Sequence, residues 1–217
     1  MLQGVVFDLD GTLVGSEGVW MEVTKRIVES FGKEFDPAWH KEIRGTGSMD
    51  AMRRVKERFD LPVSVEELDR MNMAFFHEAL QIMLPTKRAG ADELLAALTQ
   101  AGIPFALATG ASRALTERIL RGHNWLNTFA AVVTVDDVAF AKPAPDTFDQ
   151  AARRMACDSA FCVAFEDGPN GVASAKAAGM KVIGIADNNV GALVGTVRLI
   201  RTFDEVTIED LREIASA

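Results

Sequence analysis

Two aspartates at positions i and i+2, Asp8 and Asp10, follow the apolar run Val5-Val6-Phe7. Alternate residues of an extended chain point the same way, so the two carboxylates share one side. Like charges so close favour a cation between them. On its own, Asp10-Gly11 also fits an ordinary strand-end turn. Three other places offer complementary groups. Thr109-Gly110-Ala111-Ser112 follows the apolar Leu107-Ala108 and precedes a helical pattern. A hydroxyl and open backbone N–H groups at a helix start can cradle a phosphate. Lys142 stands before Pro143-Ala144-Pro145-Asp146, where two prolines stiffen the loop and fix where the lysine points. Glu166 and Asp167 follow Phe165 and precede Gly168-Pro169-Asn170-Gly171, so acids meet a strand–helix junction. Taken singly, Lys142 also reads as a solvated surface lysine and Thr109 as a helix N-cap.

The elements that must position these groups are legible as short apolar runs, at 5–7, 103–108, 131–135, 161–165 and 182–186. They are rich in Val, Ile and Phe and mostly lack polar alternation. That is the pattern of strands buried on both faces of a parallel sheet. Helical patterns intervene. Ala91, Leu94, Leu95 and Leu98 form one apolar face that Gly102 ends. Val172, Ala175 and Ala178 form another, opened by Pro169 and ended by Gly179. Alternating strand and helix predicts a doubly wound, Rossmann-like α/β fold with a parallel sheet. In such a fold the carboxyl ends of the strands lie on one edge, and all four candidate segments follow strands.

Residues 16–84 break the alternation with helical patterns alone. Ser64-Val-Glu-Glu67 opens a helix as a capping box, and Leu68, Met71, Phe75, Ala79 and Ile82 follow at helical spacing. This is far more chain than a βα crossover needs. The expected organisation is an α/β core of residues 1–15 and 85–217 with an inserted helical subdomain over 16–84.

The composition agrees with a globular protein. Of 217 residues, 48% are hydrophobic and 25% charged, which excludes a disordered chain. The net charge of −8 disfavours nucleic acid or an anionic membrane as partner, so an anionic ligand must be held by a few placed groups. The start of the chain does not read as a signal peptide, and no apolar stretch approaches the length of a membrane span. Cys157 and Cys162 fit neither a redox pair nor a zinc site, and Cys162 reads as a core filler. These readings give the expectation of a cytoplasmic protein with reduced thiols. His40, His77 and His123 form no metal-ligand spacing, and the nine methionines read as core packing.

The segments Asp8-Leu-Asp-Gly-Thr-Leu-Val14, Leu107-Ala-Thr109, Lys142-Pro-Ala-Pro-Asp146 and Phe165-Glu-Asp-Gly-Pro-Asn-Gly171 resemble, in order, those of the haloacid dehalogenase-like hydrolase superfamily. The resemblance is to its β-phosphoglucomutase-like and phosphoglycolate phosphatase-like branch, and it extends to a helical cap at 16–84. It implies that Asp8 is a nucleophile that becomes an aspartyl-phosphate and that Asp10 is the general acid and base. It implies that Thr109, Gly110 and Lys142 hold the phosphoryl oxygens. Mg²⁺ would be bound by Asp8, Asp167 and the backbone carbonyl of Asp10, with Glu166 as a further candidate ligand. Dehalogenases of this superfamily lack the second acid, so Asp10 favours phosphoryl transfer over carbon–halogen cleavage.

The resemblance also assigns substrate selection to the cap. There the candidates are Trp20, His77 and the Gly-rich turn Arg44-Gly45-Thr46-Gly47-Ser48. β-Phosphoglucomutases carry a His where this chain has Trp20 and an Arg near the position of Ser48, and Gly15 replaces a usual acid. The Gly15 departure bears on the hinge rather than the chemistry, while those at Trp20 and Ser48 make a Mg²⁺-dependent phosphatase of a small phosphomonoester the expected activity. A phosphomutase and a non-catalytic binding protein on the same fold are the alternatives.

Overall fold

A strand made only of apolar residues needs cover on both faces. The main sheet meets that need with β1 (Gly4–Phe7), β4 (Phe105–Ala108), β5 (Ala131–Val133), β6 (Cys162–Glu166) and β7 (Lys181–Ile185), joined by β8 (Arg198–Ile200) at one edge. Every neighbouring pair is parallel, in the order β5-β4-β1-β6-β7-β8. The computed structural model describes residues 1–43, 48–186 and 193–217. The chain divides into two units, Met1–Gly15 with Lys87–Ala217 and Ser16–Thr86. The first is a doubly wound, Rossmann-like α/β unit.

Its core has two sides because alternate strand residues face opposite ways. Phe7, Leu107 and Phe165 point to one side with Phe203. The Phe7 and Phe165 rings stack at 5.0 Å, and Phe203 meets both edge-on. Leu94, Leu95 and Leu98 of α5 (Ala91–Gln100), Ile119 and Leu120 of α6 (Arg113–Gly122) and Leu211 of α9 (Ile208–Ser216) cover that side. On the other side Val6, Ala106 and Ala164 pack with Phe148 of α7 (Asp146–Arg154) and Val172 of α8 (Pro169–Ala177). The sheet's order reverses at β1, whose neighbours are β4 and β6. Open α/β sheets bind ligands outside the carboxyl ends at such a switch point.

Where the strands depart from the sequence reading, local chemistry explains it. β5 stops at Val133 rather than 135, because Thr134 caps a 3-10 turn at Val135–Asp137. β8 carries Arg198 and the exposed Leu199, with only Ile200 buried, so it leaves no apolar run to find.

The other unit is helical among its described residues, with Thr86 alone in a strand, the first residue of β3 (Thr86–Lys87); β2 (Val14–Gly15) belongs to the first unit. It holds α1 (Glu17–Ser30), α2 (Pro37–His40), α3 (Ser48–Phe59) and α4 (Val65–Ile82). The Ser64 side chain caps α4 by accepting a hydrogen bond from the Glu67 N–H at 3.1 Å. The expected stripe on α4 is corrected. Leu68, Asn72, Phe76, Ala79 and Leu80 are buried, whereas Met71 and Phe75 are half-buried and Ile82 is 83% exposed. The neighbouring helical row serves because Phe76 stacks on Trp20, ring centroids 3.7 Å apart, while Phe75 lies under the Arg26 guanidinium at 3.8 Å. Among the described residues no helix is long and apolar enough to cross a membrane.

Candidate active site

The end of β1 fixes Asp8. Its backbone N–H continues the ladder to the Phe165 carbonyl at 3.0 Å, and its side chain is buried. Across the reversal point, Lys142 reaches back to it. The Lys142 Nζ donates to Asp8 Oδ1 at 2.6 Å and to Glu166 Oε1 at 2.8 Å. It also lies 4.7 Å from the centre of the Phe148 ring. Only 11% of the Lys142 side chain is exposed. Burial alone would lower the lysine's pKa, but the charges of Asp8 and Glu166 outweigh it and hold the ammonium firmly protonated. The Lys142 loop is fastened by Ser174, whose hydroxyl donates to the Ala144 carbonyl.

Glu166 ends β6 and folds over the start of α8, accepting from the Gly168 N–H at 2.7 Å. A Cβ on Gly171 would lie 1.6 Å from Glu166 Oε1, so this carboxylate requires glycine on the facing turn. Burial and the charge of Asp8 raise the Glu166 pKa, against the opposing pull of Lys142. Asp167 is pushed up to about 8, first by burial and then by Asp8, Glu166 and Asp10, while a hydrogen bond from Thr12 opposes the shift. That bond runs from the Thr12 hydroxyl to Asp167 Oδ1 at 3.2 Å.

Asp10 is exposed in the turn after β1. The turn closes through Gly11 N–H to the Val14 carbonyl at 2.7 Å and Val14 N–H to the Leu9 carbonyl at 3.0 Å. Gly11 has φ of +87°, and a Cβ there would lie 2.0 Å from Asp167 Oδ2. The turn backbone therefore packs directly on that carboxylate, in a conformation suited to glycine.

Carboxylate oxygens of Asp8, Glu166 and Asp167 lie within 4.8 Å of one another. An all-oxygen donor set is the kind that hard divalent cations prefer. Three acids with one ammonium leave an excess of negative charge, and the pKa of Asp167 is raised in the matching direction. The residues present thus fit a divalent cation.

Thr109 and Gly110 follow β4, the neighbour of β1. Thr109 is buried, with its N–H on the Val133 carbonyl and its hydroxyl oxygen accepting from the Ala111 N–H at 3.1 Å. Gly110 is exposed, with open space where a side chain would be. The N-cap of α6 is Ser112, so the alternative of Thr109 as the cap is set aside.

The candidates of the helical unit have partners inside it. Trp20 stacks on Phe76. The Ser48 hydroxyl donates to Asp69 and accepts from Asn72 at 3.0 Å. His77 is exposed, its Nδ1 2.7 Å from the Met73 carbonyl oxygen. Arg44 and Gly45 lie outside the described residues. Sequence reasoning gave no role to Thr12, Phe148, Ser174 or Gly171. Thr12 and Gly171 stand inside conspicuous segments, but their contacts depend on chain packing that spacing does not encode.

Residues 2–179 match the sequence model of the haloacid dehalogenase-like hydrolases. The chain is 34% identical over 191 residues to (DL)-glycerol-3-phosphatase 2 of Arabidopsis thaliana, covering 84% of this chain and 79% of that protein. It is 35% identical over 182 residues to the bifunctional riboflavin kinase/FMN phosphatase of the same plant. That match covers 83% of this chain but spans only 48% of the longer relative. Among solved structures, a HAD family hydrolase from Deinococcus radiodurans R1 with bound phosphate and sodium aligns with a TM-score of 0.73 at 26% identity. It covers 94% of this chain and 93% of its own.

Proposed function

Because the chain belongs to the haloacid dehalogenase-like hydrolase family, we propose that it is a Mg²⁺-dependent phosphatase that hydrolyses a small phosphomonoester through an aspartyl-phosphate on Asp8. The observation that carries this reading is the Lys142 ammonium 2.6 Å from the Asp8 carboxylate at the sheet's switch point. A buried, cation-paired carboxylate at that place is oriented and desolvated for attack.

In the first half-reaction an oxygen of Asp8 attacks phosphorus and the bond to the substrate oxygen breaks. Asp10 gives its proton to that leaving oxygen, and the alcohol departs. In the second, Asp10 takes a proton from water, and the resulting hydroxide attacks phosphorus. The Asp8–phosphorus bond breaks, returning the carboxylate and releasing inorganic phosphate. Phosphoryl transfer depends mainly on positioning and charge stabilisation. Lys142 and the Thr109 hydroxyl, with backbone N–H groups at Gly110, are assigned to the transferring oxygens. Asp8, Asp167, Glu166 and the Asp10 carbonyl would hold the divalent cation. When bound, such an ion offsets the repulsion between a carboxylate and a phosphate dianion.

The helical unit is assigned to selecting the leaving group. Relatives named for FMN and glycerol 3-phosphate make those two compounds first members of a substrate panel. The test measures phosphate release from such a panel with Mg²⁺ and after chelation. Turnover should need the metal, and Asp8→Asn should lower it by about 10⁴-fold or more while the protein stays folded. Phosphate release by folded Asp8→Asn at near wild-type rate would remove Asp8 as the nucleophile.

A further inference from the structure

We propose that Arg88 is a positioning residue for acid–base catalysis, clamping the turn that carries Asp10. The proposal rests on the reading of Asp10 given above. Arg88 spends its donors on three successive carbonyls of that turn. Its backbone N–H donates to Leu13 at 2.9 Å, its Nε to Thr12 at 2.9 Å, and its Nη2 to Gly11. A fourth bond, from Nη1 to the Arg201 carbonyl at 3.2 Å, ties the same guanidinium to the segment after β8.

Buried Leu9, Leu13 and Val14 anchor the turn from below, and Arg88 adds the ties to the carbonyls that follow Asp10. Asp8 is fixed by the sheet, through its N–H and its ion pair with Lys142. Asp10 stands beyond the strand, bridged to Val14, and is exposed. Gly11 and Thr12 also support Asp167, one by close packing and the other by its hydroxyl. Arg88 thus fixes the backbone beside the proposed acid and, through Thr12, one partner of a metal-ligand candidate, and it leaves the nucleophile to the sheet. A planar guanidinium spans two neighbouring carbonyls with two N–H groups, which an ammonium cannot imitate. Its hydrogen bonds are charge-assisted.

Loss of Arg88 should therefore damage proton transfer more than nucleophilic attack. The test compares phenyl phosphate, whose leaving group needs a proton, with p-nitrophenyl phosphate, whose leaving group departs as the anion. Values of kcat/KM report steps through departure of the leaving group. In Arg88→Met, kcat/KM for phenyl phosphate should fall about 100-fold, the loss expected of a misplaced catalytic group, and that for p-nitrophenyl phosphate less than about 10-fold. Arg88→Lys, tested beside it in case the methionine variant does not fold, should stay closer to Arg88→Met than to the wild type. Hydrogen exchange supplies a readout independent of activity: the Gly11 and Val14 amides should lose protection in either variant. Equal losses on both esters, full rescue by lysine, or unchanged exchange at Gly11 and Val14 would overturn the proposal. A wild-type protein inactive on both esters would instead count against the assigned activity, and exchange would still decide whether Arg88 clamps the turn.

Discussion

Lys142 lies between two carboxylates that would otherwise repel each other in a dry site, and Asp167 lies beside them with Thr12 as its hydrogen-bond donor. The consequence for Asp167 has a sign. Burial and then the charges of Asp8, Glu166 and Asp10 lift its pKa from 3.8 to about 8 in the folded, metal-free protein. Between those two values the folded state holds a proton that the unfolded chain has released. Stability contributed by this group is therefore lost as pH rises toward about 8. A divalent cation competes with that same proton. Adding Mg²⁺ should raise the melting temperature more at pH about 9 than at pH about 6, and Asp167→Asn should flatten the difference. A larger Mg²⁺ effect at the lower pH would contradict Asp167 as a ligand. The acid pairs were visible in the sequence because carboxylates that follow strands stand out. The support beneath them was not, since Phe148 reaches Lys142 only through the fold of the loop between them, and Ser174 reaches Ala144 from a helix far along the chain.

Helix α4 separates what periodicity can tell from what it cannot. Its existence and its Ser64 cap follow from spacing and capping chemistry. The buried row does not, because Phe75 and Phe76 are adjacent and each begins a plausible stripe. The choice is made by partners elsewhere in the helical unit, Trp20 for Phe76 and Arg26 for Phe75. Asn72, a polar residue in the buried row, hides that row from a hydrophobic pattern. The strands were more legible, since burial on both faces leaves an apolar run, and β8 escaped because Arg198 and the exposed Leu199 leave it only one buried residue. Truncating the buried ring should cost about 3–4 kcal/mol in Phe76→Ala, from lost burial and a residual cavity. Phe75→Ala should cost about 1 kcal/mol, mostly its contact with Arg26. Denaturant unfolding of the two variants checks the order, and a greater loss in Phe75→Ala would contradict the packing described for α4.

The whole chain carries a charge of −8, so a phosphate dianion is held against the average field by a small number of placed groups. A phosphatase needs such groups for one phosphate. A mutase needs them for two, because it must retain a bisphosphate intermediate while the intermediate reorients. Each charged contact to the second phosphate is a strong, charge-assisted one. The resemblance places a mutase's extra His and Arg at or near Trp20 and Ser48. In this chain Trp20 is stacked on Phe76, and Ser48 is bonded to Asp69 and Asn72, so both side chains are engaged in holding the helical unit together. Neither supplies a cation. With nothing at these two positions to hold a second phosphate, water should reach the aspartyl-phosphate before a reoriented sugar phosphate does. The expected outcome with β-glucose 1-phosphate and a trace of the 1,6-bisphosphate is inorganic phosphate, with little glucose 6-phosphate. Glucose 6-phosphate forming faster than inorganic phosphate would make the enzyme a mutase. It would then require a cation from elsewhere in the chain to hold the second phosphate.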